Sequence, residues 1–392
     1  MWRMKWFRGV TRDVALVSVG IFFLDASHST VIPIFPGFAQ SIGASLSMLG
    51  SYDSVSAVLM LLSAIPLGRL SDQIGRKRMI MPGAILFILV PLFYQVLKSP
   101  LQLYPVRLCL GLGIGLIFGN GFLLMSEVAE LGFRNTAQGI YMASMGLGFT
   151  LGPLIGGFTA KLYGVQTSFI VSSGLAVAGL FILIFVQEKK RAESKTERET
   201  PKLRRLLTDT RILASGVANY TNSLMYIAVT LFFPIYCANI GFDEAEVGIG
   251  LTSRGLASTL VRLPVGTLTT HVRALNLMLF GLALSAATIY SVSMATTLVS
   301  VATIMGLQGA SYGVYLTSGN VYVSEEAPEE LRGTAMAVYS MFGNVSGILN
   351  PLLLGIIAEN LGGRGAMQFA AGFTILGIIT VYALTRKRTA KL

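Results

Sequence analysis

Long apolar runs alternate with short polar segments along nearly the whole chain. Twelve of these runs have the length of about 20 residues that a helix needs to cross the hydrocarbon core of a bilayer. The connections are short, except for a charged stretch near 188–210. The pattern predicts an all-α membrane protein with 12 transmembrane helices. The predicted spans lie near 14–38, 46–68, 79–97, 101–126, 137–160, 166–187, 211–238, 245–269, 274–294, 298–322, 333–357 and 366–385.

The second half of the sequence repeats the first at a constant offset of 198 residues, without gaps. Glycines, prolines and a Ser-Glu pair recur in this register, for example Pro36 with Pro234 and Gly111 with Gly309. An even number of spans per repeat keeps the two halves in the same orientation, an architecture that occurs in transporters. We therefore predict two parallel-repeat six-helix bundles. They comprise residues 1–187 and 211–392, joined by a cytoplasmic linker at 188–210.

Composition and charge exclude other classes of protein. The chain is 53% hydrophobic and 12% charged, about half the charge of a soluble domain. Its net charge of +11 comes from basic residues gathered on the side of the N-terminus, as the positive-inside rule requires. Only Lys98, Lys161 and Arg364 fall on the other side. We expect a multi-pass protein of the cell membrane with both termini cytoplasmic, and no nucleic-acid partner.

A polar loop between the second and third apolar runs has a regular spacing of glycine and charge. It reads Gly68-x-x-x-Asp72-x-x-Gly75-Arg76-Lys77-Arg78. The glycines permit a tight turn and close helix approach, and the carboxylate can bind a cation or a helix N-terminus. This spacing resembles the signature loop of the major facilitator superfamily.

The resemblance implies that the loop is a conformational latch. In this family the carboxylate at Asp72 engages the second half of the protein in the outward-open state. The arginine at position 76 pairs with an acid at the end of the fourth helix, where Glu127 lies. The matching position of the second half is Thr270, so we expect the latch to act mainly from one side. The implied latch residues are Gly68, Asp72, Gly75, Arg76 and Glu127.

The fifth apolar run carries glycines about four residues apart and one proline. Its pattern is similar to the motif that the superfamily associates with antiporters, especially drug–proton exporters. Such glycines line one helix face and allow close packing, while the proline bends the helix. Packing alone is the alternative explanation. The motif consists of Gly139, Gly148, Gly152, Pro153, Gly156 and Gly157.

Charged residues also lie inside the predicted spans, where a charge is costly unless it faces protein or water. Asp25 is near the middle of the first span, Asp53 is in the second and Arg254 is in the eighth. Arg107 belongs to a stretch similar to the family's helix-4 arginine motif, although Leu110 replaces its usual polar residue. A carboxyl group that gains or loses a neighbouring arginine can exchange a proton. We predict that these four residues serve proton coupling or substrate binding.

Two further polar faces are candidate contacts for a substrate. Helices 1, 4, 7 and 10 line the central cavity in the family that the chain resembles, and polar side chains recur at helical spacing in the seventh and tenth spans. Hydrogen bonding between helices is the alternative. The candidates are Asn219, Asn222, Tyr226, Gln308, Tyr312 and Tyr315.

We expect a secondary active transporter that works by alternating access and exports small lipophilic or drug-like compounds in exchange for protons. The alternatives are a proton symporter or facilitator for a sugar or organic anion, and a non-transporting membrane scaffold or sensor. The sequence shows no phosphate loop, metal cluster or nucleophile pattern, so we predict no enzyme activity, no metal and no cofactor. The proton gradient supplies the energy, and the expected partners are a small molecule, protons and the lipid bilayer around a monomer.

Overall fold

The computed structural model describes residues 11–188, 206 and 208–386, and the regular elements within them are all helical. The basic N-terminal and C-terminal residues and most of the predicted linker lie outside the described residues. The helices of the first half are α1 (Arg12–Thr30), α2 (Phe35–Ser41), α3 (Leu46–Ile74), α4 (Arg76–Tyr94), α5 (Leu103–Ile114), α6 (Asn120–Val128), α7 (Arg134–Tyr163) and α8 (Val165–Ile184). Those of the second half are α9 (Thr210–Ile227), α10 (Phe233–Asn239), α11 (Glu244–Leu268), α12 (Ala274–Val292), α13 (Leu298–Glu326) and α14 (Arg332–Arg386).

Eight helical segments of the described chain are long and apolar enough to cross a membrane, and α1 with α2, bent by 41°, would make a ninth. Two predicted spans, 245–269 and 298–322, form long helices, α11 and α13, that are not among these eight. The last two predicted spans lie together in α14, which is interrupted at Gly362 (φ 70°). The all-helical membrane fold is confirmed, and the number twelve stays a prediction.

Contacts divide the described chain into two compact units. The first contains the described residues of Met1–Gly43 and Val55–Ser194, and the second those of Ala44–Ser54 and Lys195–Leu392. The start of α3 belongs to the second unit because the Ser47 amide donates to Glu359 Oε2 at 3.0 Å, and Gly50 lies against the carbonyl of Pro351. The predicted bundle boundaries stay predictions.

Glycines of α7 bring its backbone against α1 in the first unit. A Cβ atom at Gly148 would lie 2.7 Å from the carbonyl oxygen of Phe22, and one at Gly156 would lie 1.9 Å from that of Thr30. Gly152 lies between these two glycines on the same face of α7. The hydrophobic effect does not drive helices together inside lipid. They associate instead through the close backbone packing that small residues allow.

The structure repeats in the register that the sequence predicts. A Cβ atom at Gly111 would lie 2.4 Å from the carbonyl of Ser56, and one at Gly309 would lie 1.9 Å from that of Arg254, 198 residues further along. The breaks agree as well. The α1–α2 bend at residues 31–34 matches a π-turn at Ala228–Phe232 between α9 and α10. The two-repeat architecture is confirmed.

The α1–α7 contact predicts opposite effects of one substitution at two glycines of α7. Gly156→Ala should lower the melting temperature, because its Cβ forces the helices apart and overpacking costs about 1–3 kcal/mol. Gly139→Ala is the control, because no neighbouring atom lies within 4 Å of its added Cβ and alanine favours helix by about 1 kcal/mol over glycine. A size-exclusion thermostability assay in detergent measures both. Equal melting temperatures would contradict a packing role for Gly156.

Candidate functional site

The loop between α3 and α4 forms a charged cluster within the first unit. Gly75, with φ 104°, makes the turn between the helices, a conformation that a residue with a Cβ rarely adopts. Arg76 then forms an ion pair with Asp72, and its Nε lies 3.4 Å from Glu127 Oε1 at the end of α6. The structure thus brings together the three charged residues predicted for a latch, whose function stays a prediction. Gly68 has no atom within 4 Å of an added Cβ.

Neighbouring polar groups hold this cluster in place. Arg76 Nη1 donates to Ser71 Oγ at 2.7 Å, and Ser71 Oγ donates to Asn120 Oδ1. Lys77 Nζ donates to the carbonyls of Ile184 and Val186 at 2.6 and 2.7 Å, where a cation complements the C-terminal end of α8. Ser71 and Asn120 were not predicted, since a serine or asparagine in a helix gives no sequence signal of its own.

The corresponding loop of the second unit has no carboxylate in its place. Thr270 Oγ1 donates to the carbonyl of Thr267 at 2.7 Å and contacts His271 Nδ1 at 2.8 Å. An ion pair forms instead between Arg211 at the start of α9 and Glu326 at the end of α13. Each unit thus has an ion pair with a glutamate at the end of a helix, α6 in the first and α13 in the second, but the paired residues do not match in the repeat.

The first unit buries one acid deeply. Asp25 is 4% exposed in α1, and its Cβ lies 3.0 Å from the position of an added Cβ on Gly148. Its Oδ2 atom has no hydrogen-bond partner among the described residues. His28, one turn further along, stacks on Phe87 with ring centroids 5.7 Å apart. Asp25 therefore lies on the face of α1 that packs against the glycine motif of α7.

Two of the other predicted charges lie in different surroundings. The guanidinium of Arg107, in α5, stands 3.4 Å from the ring centroid of Phe35, a cation–π contact. Asp53 is half-buried in the part of α3 that belongs to the second unit.

A polar cluster surrounds Arg254 inside the second unit. Arg254 is 1% exposed, and its guanidinium carbon lies 4.7 Å from the ring centroid of Tyr312 and 5.4 Å from that of Tyr226. Its Nε donates to Gln308 Oε1, and Gln308 Nε2 donates to Ser285 Oγ at 3.2 Å. Three of the six predicted cavity candidates therefore lie around the predicted arginine. Ser285 was not predicted.

Among the described residues, the other three cavity candidates make no hydrogen bond to Arg254 or Gln308, and two of them bond to α14 instead. Asn219 donates to the carbonyl of Tyr339 in α14 at 2.8 Å, and the hydroxyl of Tyr315 lies 3.1 Å from that of Tyr339. Asn222 is buried in α9. Asn219 and Tyr315 therefore make the helix–helix hydrogen bonds that were the alternative to substrate contact.

The sequence profile of the Major Facilitator Superfamily matches residues 17–242 and 216–392. The chain belongs to the major facilitator superfamily. It is 25% identical to the multidrug resistance protein MdtG of Citrobacter koseri, over 96% of each chain, and 25% identical to a multi-drug resistance efflux pump PmrA homolog of Lactococcus lactis, over 97% of this chain and 96% of the relative. An uncharacterized MFS-type transporter of Methanocaldococcus jannaschii is 22% identical over 96% of this chain and 99% of its own.

Solved structures show the same fold. A bacterial homolog of the human lysosomal transporter Spinster has a TM-score of 0.80 at 12% identity, covering 95% of this chain and 96% of that one. The nucleoside transporter NupG has a TM-score of 0.77 at 12% identity, covering 96% and 100%. Members of the superfamily carry small molecules across membranes. The protein is therefore a membrane transporter and not an enzyme.

The charged cluster at Gly75 predicts that two arginines of the same loop differ in importance. Arg76→Gln should lower the stability by about 1–3 kcal/mol, because it leaves Asp72, Glu127 and Ser71 without their shared donor. Arg78→Gln removes the same charge from an exposed side chain and should change the melting temperature little. Thermal unfolding of both variants in the same detergent compares them. A larger loss in Arg78→Gln would refute the structural role given to Arg76.

Proposed function

We propose that this protein exports small lipophilic, drug-like compounds in exchange for protons, by alternating access. In this proposal it works as a monomer in the cell membrane, with both termini in the cytoplasm. The names of the relatives, which are multidrug resistance and efflux proteins, support the class of cargo. The proton gradient is the energy source of the cycle, and no cofactor takes part.

The observation that carries the proposal is the burial of Asp25. A carboxylate buried without a cationic partner is costly, and binding a proton removes that cost. Asp25 forms no ion pair with a described residue, and its Oδ2 has no hydrogen-bond partner there. Proton binding would therefore allow α1 to keep its close contact with α7, and proton loss would favour a state in which water or a cation reaches the carboxylate.

The glycine motif of α7 supports an exchange mechanism of this kind. Gly148, Gly152 and Gly156 let α1 approach within backbone contact on both sides of Asp25. Any shift between these helices changes the surroundings of the carboxyl group directly, because no side chain of α7 lies between them at these points. In this proposal the protonation of Asp25 is therefore coupled to the packing of α1 on α7, because the carboxyl group lies at that helix contact.

The proposal predicts that Asp25→Asn uncouples transport from the proton gradient. The amide resembles a permanently protonated carboxyl group, so downhill flux of a cargo should persist while proton-driven accumulation falls to the level of protein-free vesicles. Asp13→Asn is the control, because Asp13 lies in the first turn of the same helix and accepts a hydrogen bond from the Gln187 amide at 3.0 Å. It should keep proton-driven accumulation.

Reconstituted liposomes with opposite pH gradients measure both variants, with cargo first identified by thermal shift. Unchanged proton-driven accumulation in Asp25→Asn would overturn the role of Asp25. Cargo that moves in the same direction as the protons, rather than against them, would replace the antiporter with the symporter.

A further inference from the structure

We propose that Arg254 and its neighbours in the second unit bind an anionic group, a carboxylate or a phosphate, carried by the transported compound. The inference rests on the proposed function in one respect, namely that the anionic group belongs to the transported compound. Binding itself needs neither transport nor a proton gradient. The cargo would then be amphiphilic, with a lipophilic body and one acidic group.

Arg254 carries a positive charge that no acid among residues 11–188, 206 and 208–386 neutralises by an ion pair. Its side chain is buried. The acids of α11 and α13 stand near the helix ends, such as Glu244 at the start of α11 and Glu325 at the end of α13. A buried arginine without an acid is costly within a membrane span.

The guanidinium also keeps hydrogen-bonding capacity. Arg254 Nε donates to the neutral oxygen of Gln308, while Nη2 is buried and has no hydrogen-bond partner among the described residues. A guanidinium presents five N–H donors in a planar fork, which matches the paired oxygens of a carboxylate or a phosphate. An anion at Nη2 would therefore complete both the charge and the hydrogen bonds.

The packing of the fold does not require an arginine at this position. In the first unit the residue 198 positions earlier is Ser56, and Gly111 approaches its backbone just as Gly309 approaches that of Arg254. The same helix contact therefore forms around a serine. Arg254 is therefore not needed for this helix contact, since the first unit forms it with a serine.

The surroundings of Arg254 differ from the first unit together with it. The groups that contact the guanidinium or its amide partner are polar or hydroxyl-bearing in the second unit, and most of their counterparts are apolar. Gln308 corresponds to Leu110, Tyr312 to Ile114, Ser285 to Phe87 and Tyr226 to His28. The polar surroundings of Arg254 are therefore not part of the packing that the two units share.

The geometry limits the kind of ligand. Tyr226 and Tyr312 are half-buried, with ring centroids 6.1 Å apart, and both contact the guanidinium. Their rings provide apolar surface next to the charge, as expected for a ligand with an aromatic or aliphatic body beside its acidic group. Arg262 lies two turns further along α11, where its Nη2 donates to Ser258 Oγ at 3.3 Å.

Matched ligands test the proposal by direct binding to the full-length protein in detergent. The probes are 1-naphthaleneacetate, its neutral amide 1-naphthaleneacetamide, and 1-naphthyl phosphate, measured by isothermal titration without a pH gradient. We expect the two anions to bind wild type at least about tenfold more tightly than the amide, since a tenfold change corresponds to about 1.4 kcal/mol and charge-assisted hydrogen bonds supply that much.

Variants at two arginines of α11 locate the anion. Arg254→Gln should bind the acids and the amide equally, and Arg254→Lys, which keeps the charge but loses the fork, should show an intermediate preference. Arg262→Gln removes one charge from the same helix and should keep the preference. Asp25→Asn should also keep it, so failure of proton coupling and failure of anion binding give different results.

Two outcomes would overturn the inference. Equal binding of the anions and the amide by wild type would refute an anion site, and a preference that survives in Arg254→Gln would place it elsewhere. Lipid nanodiscs separate the two sources of anion. Thermal stabilisation by phosphatidylglycerol over phosphatidylcholine that depends on Arg254, without any preference among the naphthyl probes, would assign the site to a lipid headgroup and overturn its assignment to cargo.

Discussion

Backbone contact between helices at glycine is the interaction on which the rest of this structure depends. In a bilayer the apolar side chains gain nothing by leaving lipid for protein, so helix association relies on close packing and on hydrogen bonds. The first unit places Gly148, Gly152 and Gly156 against α1, and the second places Gly309 against α11. At each contact a side chain longer than hydrogen would meet backbone atoms, which cannot move aside as a side-chain end can.

These contacts also bury the charges. Asp25 lies on α1 where Gly148 approaches, and Arg254 lies on α11 where Gly309 approaches. The scaffold is thus repeated while its charge is not, since the first unit buries an acid in α1 and the second an arginine in α11. A repeat that keeps its packing residues and changes the residues between them can acquire two different binding functions without a change of fold. Proton exchange at Asp25 and anion binding at Arg254 would then be separable properties of one protein.

Residue spacing predicted much of the fold and part of the site. Glycines and prolines at fixed intervals identified the repeat, because close approach and chain bending depend on residue type alone. The i, i+4 pair Gln308 and Tyr312 was found because two polar residues on one helix face stand out in an apolar run. Spacing could not show that Asn219 turns toward the backbone of α14. It also gave no sign of Ser285, since the hydroxyl of a serine can hydrogen-bond to a carbonyl of its own helix and serines are common in membrane spans.

The same limit applies to the continuous helices, where the sequence predicts a span but not its irregularities. Residues Gly115–Gly119 form a π-turn between α5 and α6, whereas the matching stretch of α13 is regular α-helix. The wider turn leaves backbone carbonyls without their usual partner, and the hydroxyl of Tyr141 donates to the backbone carbonyl oxygen of Phe118 at 2.8 Å. In the second unit the matching hydroxyl, that of Tyr339, contacts Tyr315 instead. In the first unit the tyrosine at this position of the repeat, Tyr141, therefore binds the irregular turn. Such turns occur often at functional sites. The π-turn at Gly115–Gly119 and the deeply buried acid lie in the same unit, the first between α5 and α6 and the second at the glycine-lined contact of α1 with α7.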